Sequence, residues 1–245
     1  MVMKEFCAGG TRGRLCMPDK GADKYPTVIM CHGFNGSFSG NVKYAERLAR
    51  AGYLCVLFDF TGGSMKSESG GNMLDMTVSG ETEELKRVIG YVKGLAHVNG
   101  DRLYLMGKSQ GGLVAALASV DLKEDIRSLV LLYPAFTIPL MARMTEREYK
   151  GFPERYEILG GVVGRPYFYD ALEIDIEKCF TYDRKVLILH GDRDDIVPLS
   201  SSKKACGRYP NAELKIFHGA RHGFKDGYVD RACELMAELF AADSI

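Results

Sequence analysis

No sign of charge prevails in this sequence: 32 Lys and Arg face 32 Asp and Glu, for a formal net charge of +0. Without a basic field there is nothing to attract a polyanion, and without an acidic excess nothing favours a disordered chain, so nucleic acid is not an expected partner. Paired cysteine motifs are missing as well. The 7 cysteines, at 7, 16, 31, 55, 179, 206 and 233, are odd in number and contain no CxxC. Several, Cys31 and Cys55 among them, lie in apolar strand-like runs, and together they read as reduced, mostly buried thiols of a cytoplasmic protein. No leader is expected either: MVMKEFCAGGTRGR offers no apolar core for a signal peptide and is broken early by charge. The longest apolar run, 129–141, is too short for a bilayer and carries Pro134 and Pro139. The expectation is a soluble intracellular protein with no membrane partner.

What is present is alternation. The 245 residues suffice for one large domain with a substantial core. Short β-rich runs at 27–31, 54–58, 102–106, 128–133, 185–190 and 213–217 alternate with helix-period runs at 41–51, 81–95, 109–120, 200–209 and 225–242. That pattern predicts an α/β fold with a mainly parallel sheet, and the continuous apolar character of the strands places helices on both faces. The stretch 5–17 reads as a leading hairpin with Gly9-Gly10 near its turn.

One segment breaks the alternation. From 134 to about 181 there is no clean βα unit, yet the stretch holds Phe136, Tyr149, Phe152, Tyr156, Tyr167, Phe168, Tyr169 and Phe180. A long excursion between core strands is usually functional, so a cap over a site is expected; a small helical insertion packing its aromatics on the scaffold is the alternative.

Chemistry enters at GKSQGG, 107–112, between a strand and a helix. A sharp strand-to-helix turn strains its central residue and needs small neighbours, and it exposes a serine above the sheet as a nucleophile. A helix N-cap is the competing role for Ser109. An acid should follow a later strand, and Gly191-Asp-Arg-Asp-Asp-Ile-Val-Pro198 supplies three aspartates at a strand's carboxyl end. Asp194 is assigned. Asp192 and Asp195 read as turn residues, and a calcium loop is disfavoured because the spaced ligands and terminal Glu of an EF-hand are missing. The base should follow the next strand, and of the 5 histidines His222 lies in the loop Gly219-Ala-Arg-His-Gly-Phe224. His218 competes but belongs to the strand end; His97 reads as a surface residue, and His32 and His190 as packing against backbone. For the oxyanion, the backbone N–H of Gln110 and that of Phe34, in the loop His32-Gly33-Phe34-Asn35-Gly36, are the expected donors.

With HGF at 32–34, FDFTGGS at 58–64, MTVSGETEELKRVIGYVK at 76–93, GKSQGG at 107–112, Tyr133-Pro134-Ala135, HGDRDDIVP at 190–198 and GARHGF at 219–224, the chain resembles the α/β-hydrolase superfamily over nearly its whole length. Within it, the resemblance is to feruloyl and cinnamoyl esterases. It implies a serine hydrolase with Ser109, Asp194 and His222 as its triad, an insertion forming part of the acyl pocket, a small-molecule ester as substrate, and no cofactor or metal. Tyr167 and Tyr169 are candidates for lining an aromatic pocket. The chain departs from such relatives at Lys108, where histidine is frequent, and after Pro134-Ala135, where Phe-Thr-Ile-Pro-Leu-Met-Ala-Arg replaces polar or acidic groups that read a phenol. Lys108 would either bias the field at the elbow or point into solvent. A serine peptidase, with an acidic subsite drawn from Glu154, Glu157 or Asp170, and a monoacylglycerol lipase share the same triad logic; a silent hydrolase fold used for binding is a reading from another class. The oligomeric state stays open, a homodimer included.

Overall fold

The computed structural model describes residues 2–19, 21–225 and 227–243. It opens with the expected hairpin, β1 (Val2–Ala8) and β2 (Thr11–Met17). Gly9 and Gly10 make its two-residue turn at φ +58° and +98°, positive values that glycine reaches without steric cost. The alternating strands follow as β3 (Tyr25–Cys31), β4 (Leu54–Phe58), β5 (Val98–Lys108), β6 (Ile126–Leu132), β9 (Lys185–Gly191) and β10 (Ala212–Phe217). Together they form an eight-stranded sheet in the order β1-β2-β4-β3-β5-β6-β9-β10, parallel from β4 to β10 and antiparallel at β1 and β2. From β3 the chain goes first to β4 on one side and then to β5 on the other. The order therefore reverses between β3 and β5, and the crevice at their carboxyl ends is where open α/β sheets build sites.

Side chains alternate between two cores, as a pleated strand requires. Ile29, Cys31, Leu103 and Leu105 face one side, packed with Leu85, Val88 and Ile89 of α2 (Val78–Lys93) and Leu113 and Val114 of α3 (Gln110–Asp121). Val28, Met30, Tyr104 and Met106 face the other, packed with Tyr44 and Leu48 of α1 (Val42–Arg50) and Met236 and Phe240 of α8 (Gly227–Ala242). Each fully buried aliphatic side chain contributes roughly 1.5–3 kcal/mol, so the helices are held mainly by these faces.

Boundaries differ from expectation for local reasons. Helix α2 starts at Val78 rather than 81, because the Thr77 hydroxyl caps it by accepting from the Gly80 N–H at 2.9 Å. Strand β5 starts at Val98 rather than 102, since a register shift between Tyr25 and Thr27 lets the polar Asn99-Gly100-Asp101 stretch stay in the strand. Helix α7 (Leu199–Cys206) stops short of 209 with Gly207 as its C-cap. Asp226, inside the expected last helix, lies outside the described residues. Among the described residues no helix is long and apolar enough to cross a membrane. The 7 cysteines are free thiols, with Cys7 exposed, and burial pushes Cys179 and Cys233 up to about 12.

The segment 134–181 holds elements that periodicity did not reveal: α4 (Ile138–Tyr149), a hairpin of β7 (Tyr156–Ile158) and β8 (Gly161–Val163), α5 (Arg165–Glu173) and the short α6 (Ile176–Cys179). Aromatic contacts join them. Phe152 stacks on Phe168 at 4.9 Å, with Tyr156 edge-on to Phe168 at 5.3 Å. Helix α5 packs on α2, and the hairpin sits against the loop after β3: a Cβ on Gly161 would lie 3.1 Å from both the Phe34 ring and Asn35.

Candidate active site

Ser109 stands at the end of β5 with φ +52° and ψ −120°, a strained conformation for a residue with a side chain. The surroundings over-determine it. A Cβ on Gly107 would fall 2.1 Å from the Gly111 carbonyl oxygen, and one on Gly111 would fall 2.1 Å from that of His32. The Ser109 N–H donates to the Leu132 carbonyl at 3.0 Å, and its own carbonyl accepts from Gly112 and Ala135 at 2.9 and 3.0 Å. Although Ser109 occupies the N-cap position of α3, its side chain makes no capping bond. Instead its Oγ lies 3.0 Å from His222 Nε2.

His222 Nδ1 lies 2.8 Å from Asp194 Oδ2, and the Asp194 side chain has no exposure. A carboxylate only accepts, so Nδ1 carries the hydrogen and Nε2 is left to accept from the serine hydroxyl. Burial pushes the Asp194 carboxyl up, but hydrogen bonds from His190 and His222 and from the Val197 and Ile196 amides outweigh it and hold the group well below the usual carboxylate range. The ring of Tyr133, whose φ is +40°, lies 4.6 Å from the His222 ring and 5.0 Å from Phe224.

The competing residues pair elsewhere. His218 is 87% exposed and meets Asp192 at 2.8 Å; that bond is the main reason the Asp192 carboxyl sits below its ordinary value. Asp195 pairs with Arg221 at 3.2 Å. Asp192, Asp194 and Asp195 thus diverge onto three different partners. His32 is buried: its Nδ1–H donates to its neighbour's carbonyl, Gly33 O, at 2.8 Å, and its Nε2 accepts from the Phe60 N–H at 3.1 Å. Desolvation lowers its pKa.

His190 is more than backbone packing. Its Nε2–H is shared between Asp194 Oδ2 at 3.2 Å and the Val197 carbonyl at 3.0 Å, while Nδ1 accepts from the Ser202 hydroxyl at 2.7 Å. Sequence reasoning missed this residue and Tyr133. The available signals were the spacing of four between His190 and Asp194 and the aromatic directly before Pro134.

The loop after β3 passes close to the Ser109 hydroxyl at Gly33. A Cβ there would lie 3.1 Å from Ser109 Cβ and 3.7 Å from its Oγ. The loop is fixed by Asn35 N–H to Gly63 O at 3.1 Å and Gly36 N–H to Gly33 O at 3.0 Å. Phe34 follows Gly33 directly. Gln110 opens α3, where the first N–H groups of a helix have no intrahelical acceptor and the dipole favours negative charge. The Gln110 side chain turns inward, donating to Glu81 Oε2 at 2.8 Å and accepting from the Tyr167 hydroxyl at 2.9 Å.

That last bond fixes Tyr167 from the side of α3. The residue is buried, its hydroxyl is already taken by Gln110, and its ring meets Phe34 edge-on at 6.3 Å, bracing the loop after β3. Tyr169, on the same helix, is 57% exposed and leans on Phe152 instead. Lys108 is half-buried: its Nζ donates to the Gly40 carbonyl at 2.7 Å and lies 5.5 Å from the Tyr44 ring centre. Desolvation lowers its pKa to about 8. A cavity of about 510 Å³ opens between α4, α6 and α7, walled by Phe136, Leu140, Ile176, Phe180 and Pro198 among others, but none of Ser109, Asp194 and His222 lies on its wall.

The parallel sheet, the strained serine after its fifth strand and the loops at the switch point match a known class. The chain belongs to the alpha/beta hydrolase fold family, whose model matches residues 26–163. Within that family the fold resembles that of feruloyl esterases. Est1E from Butyrivibrio proteoclasticus, solved with ferulic acid bound, superposes with a TM-score of 0.88 at 28% identity, covering 98% of both chains. Among curated proteins, the quorum-quenching protein AidA of Acinetobacter baumannii is 25% identical over 129 residues, 47% of this chain and 42% of AidA. The dihydrolipoyllysine-residue acetyltransferase component of the acetoin cleaving system of Cupriavidus necator is 24% identical over 249 residues, 87% of this chain and 62% of that protein. The chain therefore spans less than two thirds of either curated relative.

Proposed function

We propose that this protein hydrolyses small carboxylic esters through an acyl-enzyme on Ser109, with aryl-acyl esters such as cinnamates and ferulates among its substrates. The observation that carries the reading is the continuous chain Ser109 Oγ, His222, Asp194 at 3.0 and 2.8 Å on a strained elbow. His222 takes the serine proton as Oγ attacks the ester carbonyl carbon, and Asp194 stabilises the imidazolium that forms. The carbonyl oxygen, now negative, is received by the Phe34 and Gln110 N–H groups, where losing one donor costs about 2.7–4 kcal/mol. His222 returns the proton to the departing alcohol, and water repeats the cycle on the acyl-enzyme.

The aromatic cap segment and the 28% identity to a protein solved with ferulic acid support an aryl acyl group. Phe136, which follows Pro134-Ala135, packs at 5.8 Å on Phe180 and brings no acid to select a para-hydroxyl. Cinnamate and ferulate esters should therefore be cleaved with similar efficiency. The test compares kcat/KM for ethyl cinnamate, ethyl ferulate, short aliphatic esters, a long-chain monoacylglycerol and an aminoacyl anilide, alongside fluorophosphonate labelling. Ser109→Ala should abolish labelling and lower turnover by about 10⁴–10⁶. Dominance of the monoacylglycerol would make the protein a lipase, dominance of the anilide a peptidase, and an unlabelled Ser109 would end the hydrolytic reading.

A further inference from the structure

Glu81 is a carboxyl group where periodicity asks for an apolar side chain. It lies on the face of α2 that carries Val78, Leu85, Val88 and Ile89, and it is 3% exposed. A carboxyl taken out of water there is costly unless it is used. Its Oε2 accepts from Gln110 Nε2 at 2.8 Å, while the opposite end of that amide, Oε1, accepts from the Tyr167 hydroxyl at 2.9 Å. The side chain of the residue after the nucleophile is thus gripped from two elements, scaffold helix α2 and cap helix α5. The other carboxyl oxygen, Oε1, fills the space beside Gly63: a Cβ on Gly63 would lie 3.1 Å from it and 3.2 Å from the His32 ring. Gly63 in turn accepts the Asn35 N–H at 3.1 Å, next to Phe34. One buried acid therefore borders both segments that present oxyanion donors.

We propose that Glu81 is a positioning residue for the reaction at Ser109, holding Gln110 so that its main-chain N–H meets the oxyanion, and that it does so best while uncharged. The proposal rests on the hydrolytic reading above. Burial pushes the carboxyl up; the Gln110 bond pulls it down, and Glu84 on the same helix and Asp170 on α5 add to the rise, leaving it at about 8. The other titratable groups facing this region are the Tyr167 phenol from α5, the Cys31 thiol from β3 and the His32 ring, and neither phenol nor thiol brings positive charge. Above that pH the carboxyl becomes an anion one side chain away from the site where negative charge develops in the transition state. Like charges in a dry interior repel, so the acceleration due to the oxyanion donors shrinks as pH rises.

The experiment is the pH profile of kcat and KM for p-nitrophenyl acetate from pH 6 to 10, corrected for spontaneous hydrolysis, for wild type, Glu81→Gln and Glu81→Ala. Fluorophosphonate labelling of Ser109 and circular dichroism accompany each protein. In the wild type kcat should fall about tenfold between pH 7 and 9.5 with KM little changed. Glu81→Gln keeps shape and acceptor but cannot ionise; it should retain at least a third of kcat at pH 7 and hold that value to pH 9.5. Glu81→Ala, folded and still labelled, should lose about 10- to 100-fold in kcat. A wild-type profile flat to pH 9.5, an alkaline fall unchanged in Glu81→Gln, or full turnover in Glu81→Ala would each overturn the proposal. Failure of Ser109 to label in the wild type would instead overturn the hydrolytic reading itself.

Discussion

Two adjacent aspartates, one residue apart in the chain, have unrelated surroundings. Asp194 has no exposed side chain and meets two histidines, whereas Asp195 reaches outward to Arg221. Under the proposed mechanism, replacing the first removes the group that orients the base; replacing the second removes a surface ion pair of small worth. Asp194→Asn should accordingly lower kcat/KM by about 10⁴ and Asp195→Asn by less than tenfold, with His222→Ala and His218→Ala dividing in the same way. Damage from Asp195→Asn comparable to that from Asp194→Asn would shift the assignment by one residue. Lys108 carries a stability prediction. Its folded-state pKa of about 8 lies below the ordinary lysine value, so between pH 8 and about 10.4 the unfolded chain holds the extra proton and stability rises with pH. Urea midpoints of Lys108→Met relative to wild type should be most favourable to the variant below pH 8, and the difference should drift toward wild type as pH rises to 10. A difference independent of pH would contradict the lowered value.

Among the elements, the β7-β8 hairpin sets the 134–181 segment against the loop after β3. A Cβ on Gly161 would come within 2.9 Å of the Met73 methyl and 3.1 Å of Asn35 and the Phe34 ring. Gly161→Val therefore has to lift the hairpin or press on the loop that carries the Phe34 amide. A displacement near 1 Å costs on the order of 10² in rate. Turnover should drop by about that factor, measured as kcat on p-nitrophenyl acetate. If turnover survives, the hairpin is only packed beside the loop. The small elements of this segment were invisible to periodicity: three-residue strands are too short to show alternation, and their aromatics pack on one another in clusters that follow no helical or strand repeat.

At the scale of the molecule, the sheet separates two cores that share its strands. Ile89 lies in one and Leu48 in the other, on opposite faces. Each truncation to alanine should cost about 2–5 kcal/mol. Because the sheet stands between them, the losses should add to within about 0.5 kcal/mol in Ile89→Ala/Leu48→Ala, measured in urea. The transition should stay single if the two faces unfold as one unit; separate transitions would mean that the 134–181 segment or one face melts independently.

What could be read from the linear order was whatever local chemistry imposes. Hydrophobic period placed the six parallel strands and the main helices, the Gly9-Gly10 pair placed the hairpin, and the glycines around Ser109 announced a turn too tight for larger neighbours. The order serine, aspartate, histidine on strand-to-helix loops was legible for the same reason. Side-chain direction inside a loop follows no period, so only the folded chain decided which aspartate turns to His222, 28 residues away, and that Ser109 meets that histidine across 113 residues. The inward turn of Gln110, the capture of Tyr167 by its amide and the second histidine on Asp194 belong to this group as well. Apart from the His190 contact, made between residues four apart in the chain, each is a long-range hydrogen bond formed where burial leaves a polar atom no water, and that pairing is set by which elements meet in space.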